Sequence, residues 1–297
     1  MTTGYRWDPE YRLASPTSPS EATKPEPKTP HAMTQNPSHC RLCGGKIEHK
    51  FFDILLQKYK VDFFECQECH SLQTESPYWL DEAYTFNLSI LDTGAVQRNL
   101  QNFAYCLLFS KIFNIRRGLD YGSSDGLLCR FLRDHGVDFY AYDKYSKPIY
   151  AQGFTTPPGS PDLVTAFEVL EHFSNPAVDF EDLIRFEAKY ILFSTEIYTG
   201  QRNDWWYLAK ETGQHVFFYS PNALERLAKR ARKKAIKIGA NFLFYDPSVP
   251  RIDEMLIQAQ SILSGWVFET LKPHVLALPG TGVGRDMELM KNRIAGK

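Results

Sequence analysis

No stretch of this 297-residue chain stays apolar for the roughly 18 residues that a membrane span needs. Nor does the N-terminus carry a basic start followed by an apolar core, so it does not read as a signal peptide. Excess charge of one sign is missing too: 34 basic side chains face 35 acidic ones, a net charge of -1. That balance gives no reason to expect nucleic acid or an anionic membrane as the main partner. The expected location is therefore cytoplasmic, where six cysteines are thiols or metal ligands rather than disulfides. Two nucleotide signatures are also absent. The chain has neither G-x-G-x-x-G nor G-x-x-x-x-G-K-[ST], which disfavours dinucleotide binding and a phosphate loop.

What is present falls into four stretches. Residues 1–38 hold seven of the eighteen prolines and bury too little to offset their ordering entropy, so a disordered tail is expected there. Met33, just before the folded part, is an alternative start to Met1. Residues 39–95 carry four cysteines. Residues 96–248 alternate short apolar runs with helical periodicity: a helix over Arg98–Phe113, strands at Arg117–Tyr121, Asp138–Asp143, Asp162–Glu168 and Tyr190–Ile197, and helices over Gly126–His135 and Val178–Phe186. One further strand is expected within Ser146–Ser160, although Pro157, Pro158 and Gly159 make that stretch mostly loop. Strands alternating with helices point to a parallel sheet with crossover helices. Ser220-Pro221 predicts the start of a helix over Asn222–Lys233, and Ala235–Ile238 with Asn241–Tyr245 reads as a closing antiparallel hairpin. Residues 249–297 form a helical extension of unassigned role, with one helix-like run over Ile252–Phe268.

Cys40-Arg-Leu-Cys43 and Cys66-Gln-Glu-Cys69 are C-x-x-C pairs 22 residues apart. Two pairs on tight turns offer four thiolates to one tetrahedral ion, so Zn²⁺ in a closed structural site is the expected occupant. Cys69-His70 also completes a C-x-x-C-H haem signature, but that chemistry needs an exported protein and leaves the first pair without a role. Cys106 and Cys129 sit in apolar helical contexts and read as core residues.

Asp120-Tyr-Gly122-Ser123-Ser-Asp-Gly126 follows a strand and opens a helix, a place where glycines let a ligand approach backbone at the C-terminal edge of a sheet. Asp143 ends the next strand, 23 positions after Asp120, where a carboxylate can accept from ribose hydroxyls. With Phe-Glu-Val-Leu-Glu-His ending at His172, these residues resemble the class I S-adenosylmethionine (SAM)-dependent methyltransferases. The resemblance implies a Rossmann-like α/β fold with a seven-stranded, mostly parallel sheet and flanking helices. It also implies that Asp120, Gly122, Ser123 and Gly126 line the methionine end of SAM, that Asp143 holds its ribose, and that Phe167 and Glu168 sit beside it.

Two C-x-x-C pairs ahead of such a domain, with His215-Val-Phe-Phe-Tyr219-Ser220 downstream, are similar to zinc-containing sugar methyltransferases. That likeness implies a nucleotide-linked sugar or glycan precursor as acceptor. Gln214 stands where the carbon-methylating members have Glu, which leaves oxygen and carbon acceptors both open. Methyl transfer requires removal of an acceptor proton, and imidazole suits that task. His215 is the first candidate base, with His172 and Glu171 beside it. Tyr198, Trp205, Trp206 and Tyr207 are candidate substrate-stacking rings. The alternatives are methylation of another small molecule or RNA, and a binding protein that keeps the fold without turnover. A membrane partner is not expected, and the oligomeric state is open.

Overall fold

The computed structural model of the chain describes residues 37–85 and 93–294. The tail expected over 1–38 lies outside them but for its last two residues. Strands β1 (Ile47–Leu55), β2 (Tyr59–Cys66) and β3 (Leu72–Thr74) form an antiparallel meander, followed by the short helix α1 (Leu80–Thr85). Helix α2 (Ala95–Ile112) then leads into β4 (Arg117–Tyr121), α3 (Leu127–Asp134), β5 (Asp138–Tyr142), β6 (Leu163–Ala166), α4 (Pro176–Ile184) and β7 (Tyr190–Phe193). The chain continues through β8 (Phe217–Phe218), α5 (Pro221–Arg230), β9 (Lys234–Ile238), β10 (Asn241–Tyr245), α6 (Ile252–Ile262), α7 (Gly265–Leu276) and α8 (Val283–Ile294).

The main sheet runs β5-β4-β6-β7-β10-β9, with β4 to β7 parallel and the terminal hairpin antiparallel. Side chains alternate across it. Phe139 and Ala141 enter the core under α2, α3, α6 and α7, while Tyr140 enters the core under α4 and α5. Burial on both faces is why these strands read as short continuous apolar runs. Ser220 accepts from Ala223 N–H and Pro221 follows it, so α5 begins on the cap the sequence predicts.

Two expectations are corrected. The described residues give the main sheet six strands, not seven. Residues 146–160 form a short 3₁₀ turn and loop, and the edge of β5 receives a single tie, Ala141 N–H to Phe154 C=O at 2.9 Å. The two adjacent prolines there lack the N–H groups that a ladder requires. The run Ile252–Phe268 is also broken: α6 stops at Ile262 and α7 starts after Ser264, with Gly265 in the left-handed region at φ 58°, where a helix cannot continue.

The second sheet runs β1-β2-β3-β8, so Phe217 and Phe218 pair with Gln73 and Leu72. The cysteine-bearing meander is thereby joined to a strand from far down the chain. At the opposite end, α8 docks through Asp286. Its carboxylate accepts from Nε and Nη2 of Arg133, both at 2.8 Å, and from Arg130 at 2.6 Å. Arg133 is only 2% exposed and lies over the Phe154 ring at 3.6 Å. Burial works to raise the Asp286 pKa, but the two guanidinium groups outweigh it and hold the carboxyl below its ordinary value.

Asp286→Ala would leave Arg133 buried with Asp138 as its remaining charged partner, at a cost of about 3 kcal/mol. Urea unfolding should show this loss above the ordinary carboxylate range. The difference from wild type should narrow as pH falls through the lowered pKa, where Asp286 itself becomes protonated.

Candidate active site and cysteine centre

The four thiols converge. Cys40 and Cys69 sulfurs lie 3.7 Å apart, Cys43 and Cys66 3.5 Å, and all four within 4.8 Å of one another. Four thiolates around one tetrahedral ion with metal–sulfur bonds of about 2.3 Å would stand roughly 3.8 Å apart. The amides of Glu68 and Cys69 donate to Cys66 Sγ. No disulfide links them. A four-thiolate ion centre fits this donor set.

Arg41, between the first two cysteines, is the residue the spacing argument passed over. No ion pair holds it among the described residues. Instead its guanidinium donates to the carbonyls of Thr74 (3.1 Å), Ser174 (3.2 Å) and Val216 (2.6 Å). Burial pushes its pKa down to about 10, opposed by the Cys40 thiol. Four thiolates around a divalent ion carry a net negative charge, and Arg41 is the cation adjacent to it.

The glycine turn is built as the sequence implies. Gly122 and Gly126 have φ of 74° and 79°, and a Cβ on Gly122 would lie 2.5 Å from Val169. Only glycine meets both demands. The amides of Gly122 and Ser123 donate to Tyr142 C=O, tying the turn to the end of β5. Ser123 Oγ is buried with no hydrogen-bond partner in the protein, a free donor beside a cradle. Asp120 is buried at the end of β4 and accepts from Thr165 Oγ1 at 2.7 Å. Burial pushes its pKa up to about 7 against the Thr165 bond, and Asp143 adds to the rise.

Asp143 faces this turn. Its Oδ2 accepts from Ser124 N–H at 2.9 Å, and Oδ1 from the amides of Tyr145 and Ser146, both at 2.7 Å. A carboxylate has about four lone-pair sites, so one acceptor position remains. Glu168 sits at the end of β6 with a left-handed φ of 54°, held by Ser194 through its amide and one carboxylate oxygen. Phe167 packs against the core under α2 and α3.

Just beyond, Glu171, His172 and His215 come together, with donor atoms within 4.8 Å of one another. The two imidazoles meet edge to face at 4.9 Å. His215 Nδ1 lies 2.7 Å from Tyr207 C=O. A carbonyl only accepts, so Nδ1 carries the proton and Nε2 keeps a free lone pair. Glu171 is fully buried, and neither of its oxygens has a hydrogen-bond partner within 3.5 Å, the Tyr207 hydroxyl lying nearby. Burial, then the charge of Glu168, pushes its pKa up to about 8. Burial, then His215, pushes His172 down to about 3. His215 is lowered as well, by burial, so both rings are neutral at neutral pH.

The aromatic candidates divide. Tyr198 and Tyr207 are buried in the core beneath β3 and β8, with Tyr198 OH donating to Glu65 at 2.7 Å. Trp205 packs between them, and Trp206 stands 73% exposed. Gln214 is buried and its Nε2 donates to Ala83 C=O at 2.8 Å. An ionised Glu there would have no hydrogen to donate. Tyr84, also on α1, reaches His172 Nδ1 at 3.4 Å. Tyr84 and Arg41 carry no periodic signal in the sequence, their side-chain partners lying 33 to 175 residues away.

Residues 92–231 match the family model of a methyltransferase domain. No curated protein matches the chain. Among solved structures, an O-methyltransferase family protein from Burkholderia thailandensis shares 15% identity over 56% of this chain and 59% of its own, with a TM-score of 0.40. Magnesium protoporphyrin IX methyltransferase from Synechocystis shares 13% over 51% and 82%, with a TM-score of 0.35. Human N-acetylserotonin methyltransferase shares 14% over 56% of both chains, with a TM-score of 0.38. At these scores the likenesses carry no inference about activity. No helix among the described residues is long and apolar enough to cross a membrane.

Between the ordinary carboxylate value and about 7, folded Asp120 binds a proton that the unfolded chain has released. Stability contributed by this group therefore falls as pH rises through that window. Asp120→Asn should flatten the decline, raising the melting temperature at pH 8 relative to wild type by several degrees. An unchanged slope of melting temperature against pH would contradict the assignment.

Proposed function

We propose that the methyltransferase domain of this chain takes SAM at the glycine turn and passes its methyl group to a small hydroxylated acceptor, a sugar or nucleotide-linked sugar. The supporting observation is the apposition of Gly122 with Val169. It sets the cofactor turn against the segment that carries Glu171 and His172, with His215 beside them. In this reading Gly122 and Gly126 admit the methionine end of the ligand, the unpartnered Ser123 hydroxyl donates to it, and Asp143 accepts from a ribose hydroxyl with its remaining lone pair. When bound, SAM supplies an electrophilic methyl on a sulfonium.

The acceptor's proton is lost at the face formed by Glu171, His172 and His215, where His215 Nε2 is unprotonated because Nδ1 is committed to Tyr207 C=O. Trp206, an exposed ring packed on Tyr207, which in turn meets His215, is suited to covering a sugar. The sugar assignment follows from the cysteine pairs ahead of the domain and the element from His215 to Ser220. Zn²⁺ in the four-cysteine centre is a structural ion in this reading, holding the first sheet in place.

Calorimetry should show SAM binding to the wild-type chain, abolished by Gly122→Val; no heat from wild type would refute the reading. His215→Ala should lower methyl transfer about 100-fold while SAM still binds. Label from methyl-labelled SAM appearing in RNA and not in nucleotide-sugar pools would overturn the acceptor class. Metal analysis of protein purified without chelators should find at least one zinc per chain, falling in Cys66→Ser.

A further inference from the structure

We propose that Glu171, His172 and His215 form a site for one divalent first-row transition cation, distinct from the four-cysteine centre. The first support is composition and geometry. One carboxylate and two imidazoles present donor atoms within 4.8 Å of one another, within a side-chain rotation of the roughly 3 Å that neighbouring ligands on one ion adopt. Two nitrogens and one oxygen with open positions suit Mn²⁺, Fe²⁺, Co²⁺ or Zn²⁺ rather than an ion that selects four thiolates.

The second support is the state of Glu171. It is fully buried, neither oxygen has a hydrogen-bond partner within 3.5 Å, the Tyr207 hydroxyl being a polar neighbour beyond that distance, and no ion pair reaches it among the described residues. A buried carboxyl group left so is costly, and a cation would satisfy it. The third support is the orientation of His215. Metal-bound histidines commonly donate their other ring N–H to a backbone carbonyl, and Nδ1 of His215 does so to Tyr207 at 2.7 Å, leaving Nε2 for the ion. The fourth is access: both imidazoles are half-buried and Glu168 at the mouth is exposed, so positions on the ion would face the acceptor.

The role of the cation rests on the methyl-transfer reading; its binding does not. An acceptor hydroxyl on the ion loses its proton to solvent more readily. The oxygen then forms its bond to the methyl carbon as the carbon–sulfur bond breaks, the electron pair going to sulfur to leave a neutral thioether. With the ion bound, His215 would serve as its ligand in place of taking the acceptor's proton itself, and the ion would lower the hydroxyl pKa so that solvent takes the proton.

Mn²⁺ is the probe, followed by its electron paramagnetic resonance signal during titration into the tag-free full chain. One tightly held Mn²⁺ per wild-type chain is expected, with a rise in melting temperature on its addition. Glu171→Gln and His215→Asn, each checked for folding by circular dichroism, should weaken binding at least about tenfold. No Mn²⁺ held by wild type at millimolar concentration overturns the site, as does uptake unchanged in both variants. Should Glu171→Gln not fold, the His215→Asn titration and the wild-type melting shift decide. Mn²⁺ uptake with no calorimetric SAM binding supports the site and removes only the methyl-transfer reading.

Discussion

The main chain of Val216 is gripped from both sides, and the arrangement of the site depends on that grip. Its N–H donates to Glu171 C=O at 2.9 Å, while its carbonyl accepts from Thr74 N–H at 3.1 Å and Arg41 Nη2 at 2.6 Å. Three segments far apart in sequence therefore meet at one peptide: the first cysteine turn, the end of β3, and the turn after β6. His215 is the preceding residue. Any displacement of the cysteine turn is transmitted through Arg41 to the ring beside Glu171 and His172. A thiolate-bound ion would fix Cys40 and Cys43, and hence the guanidinium between them. Because Arg41 is partly buried and, among the described residues, pairs with no carboxylate, its three carbonyl acceptors and the neighbouring thiols are its compensation, and loosening either leaves its charge underserved. The cysteine centre thus reaches the acceptor face by hydrogen bonds rather than by chemistry.

Much of the main sheet was legible because its strands are buried on both faces. Arg117–Tyr121 and Asn241–Tyr245 form with the bounds expected, and the capped start of α5 follows Ser220-Pro221. Local signals suffice where a strand is an apolar run between turns. They fail where pairing is decided at a distance. β8 is two residues long and exists because Leu72 and Gln73 of the meander offer an edge. No window of sequence around Phe217 contains that information. The seventh strand failed for the converse reason: the resemblance requires it, but Pro157 and Pro158 cannot complete a ladder.

The candidate site shows the same division. Glycine at 122 and 126 is dictated by backbone conformation and close approach, so those positions carry their signal in residue type alone. The four cysteines do likewise through spacing. Residue type does not separate Tyr198 and Tyr207, buried and serving the core, from Trp206, exposed one position before Tyr207. Burial of a ring is a property of the packed aromatic cluster, which the sequence lists but does not arrange. Gln214 is instructive in the same way. Its departure from Glu is explained by a donor it supplies to Ala83 on α1, a contact across 131 residues.

Glu171 and Asp120 make the sharpest contrast. Both are carboxyl groups in the interior, and burial raises both pKa values. Asp120 has the Thr165 hydroxyl on Oδ1 at 2.7 Å, a partner the fold supplies. Glu171 has no partner so close, the Tyr207 hydroxyl standing beyond 3.5 Å, although its backbone carbonyl is firmly held by Val216. The fold fixes the position of Glu171 through its main chain and leaves its side chain unserved. A position held so firmly, with an acceptor group so poorly satisfied, is one where stability alone would favour an apolar residue of similar size. Its side chain faces two imidazoles rather than solvent, so what completes it has to come from the space they share. That places the chemical demand on a ligand, and the carboxylate with two nitrogen lone pairs specifies a positively charged one.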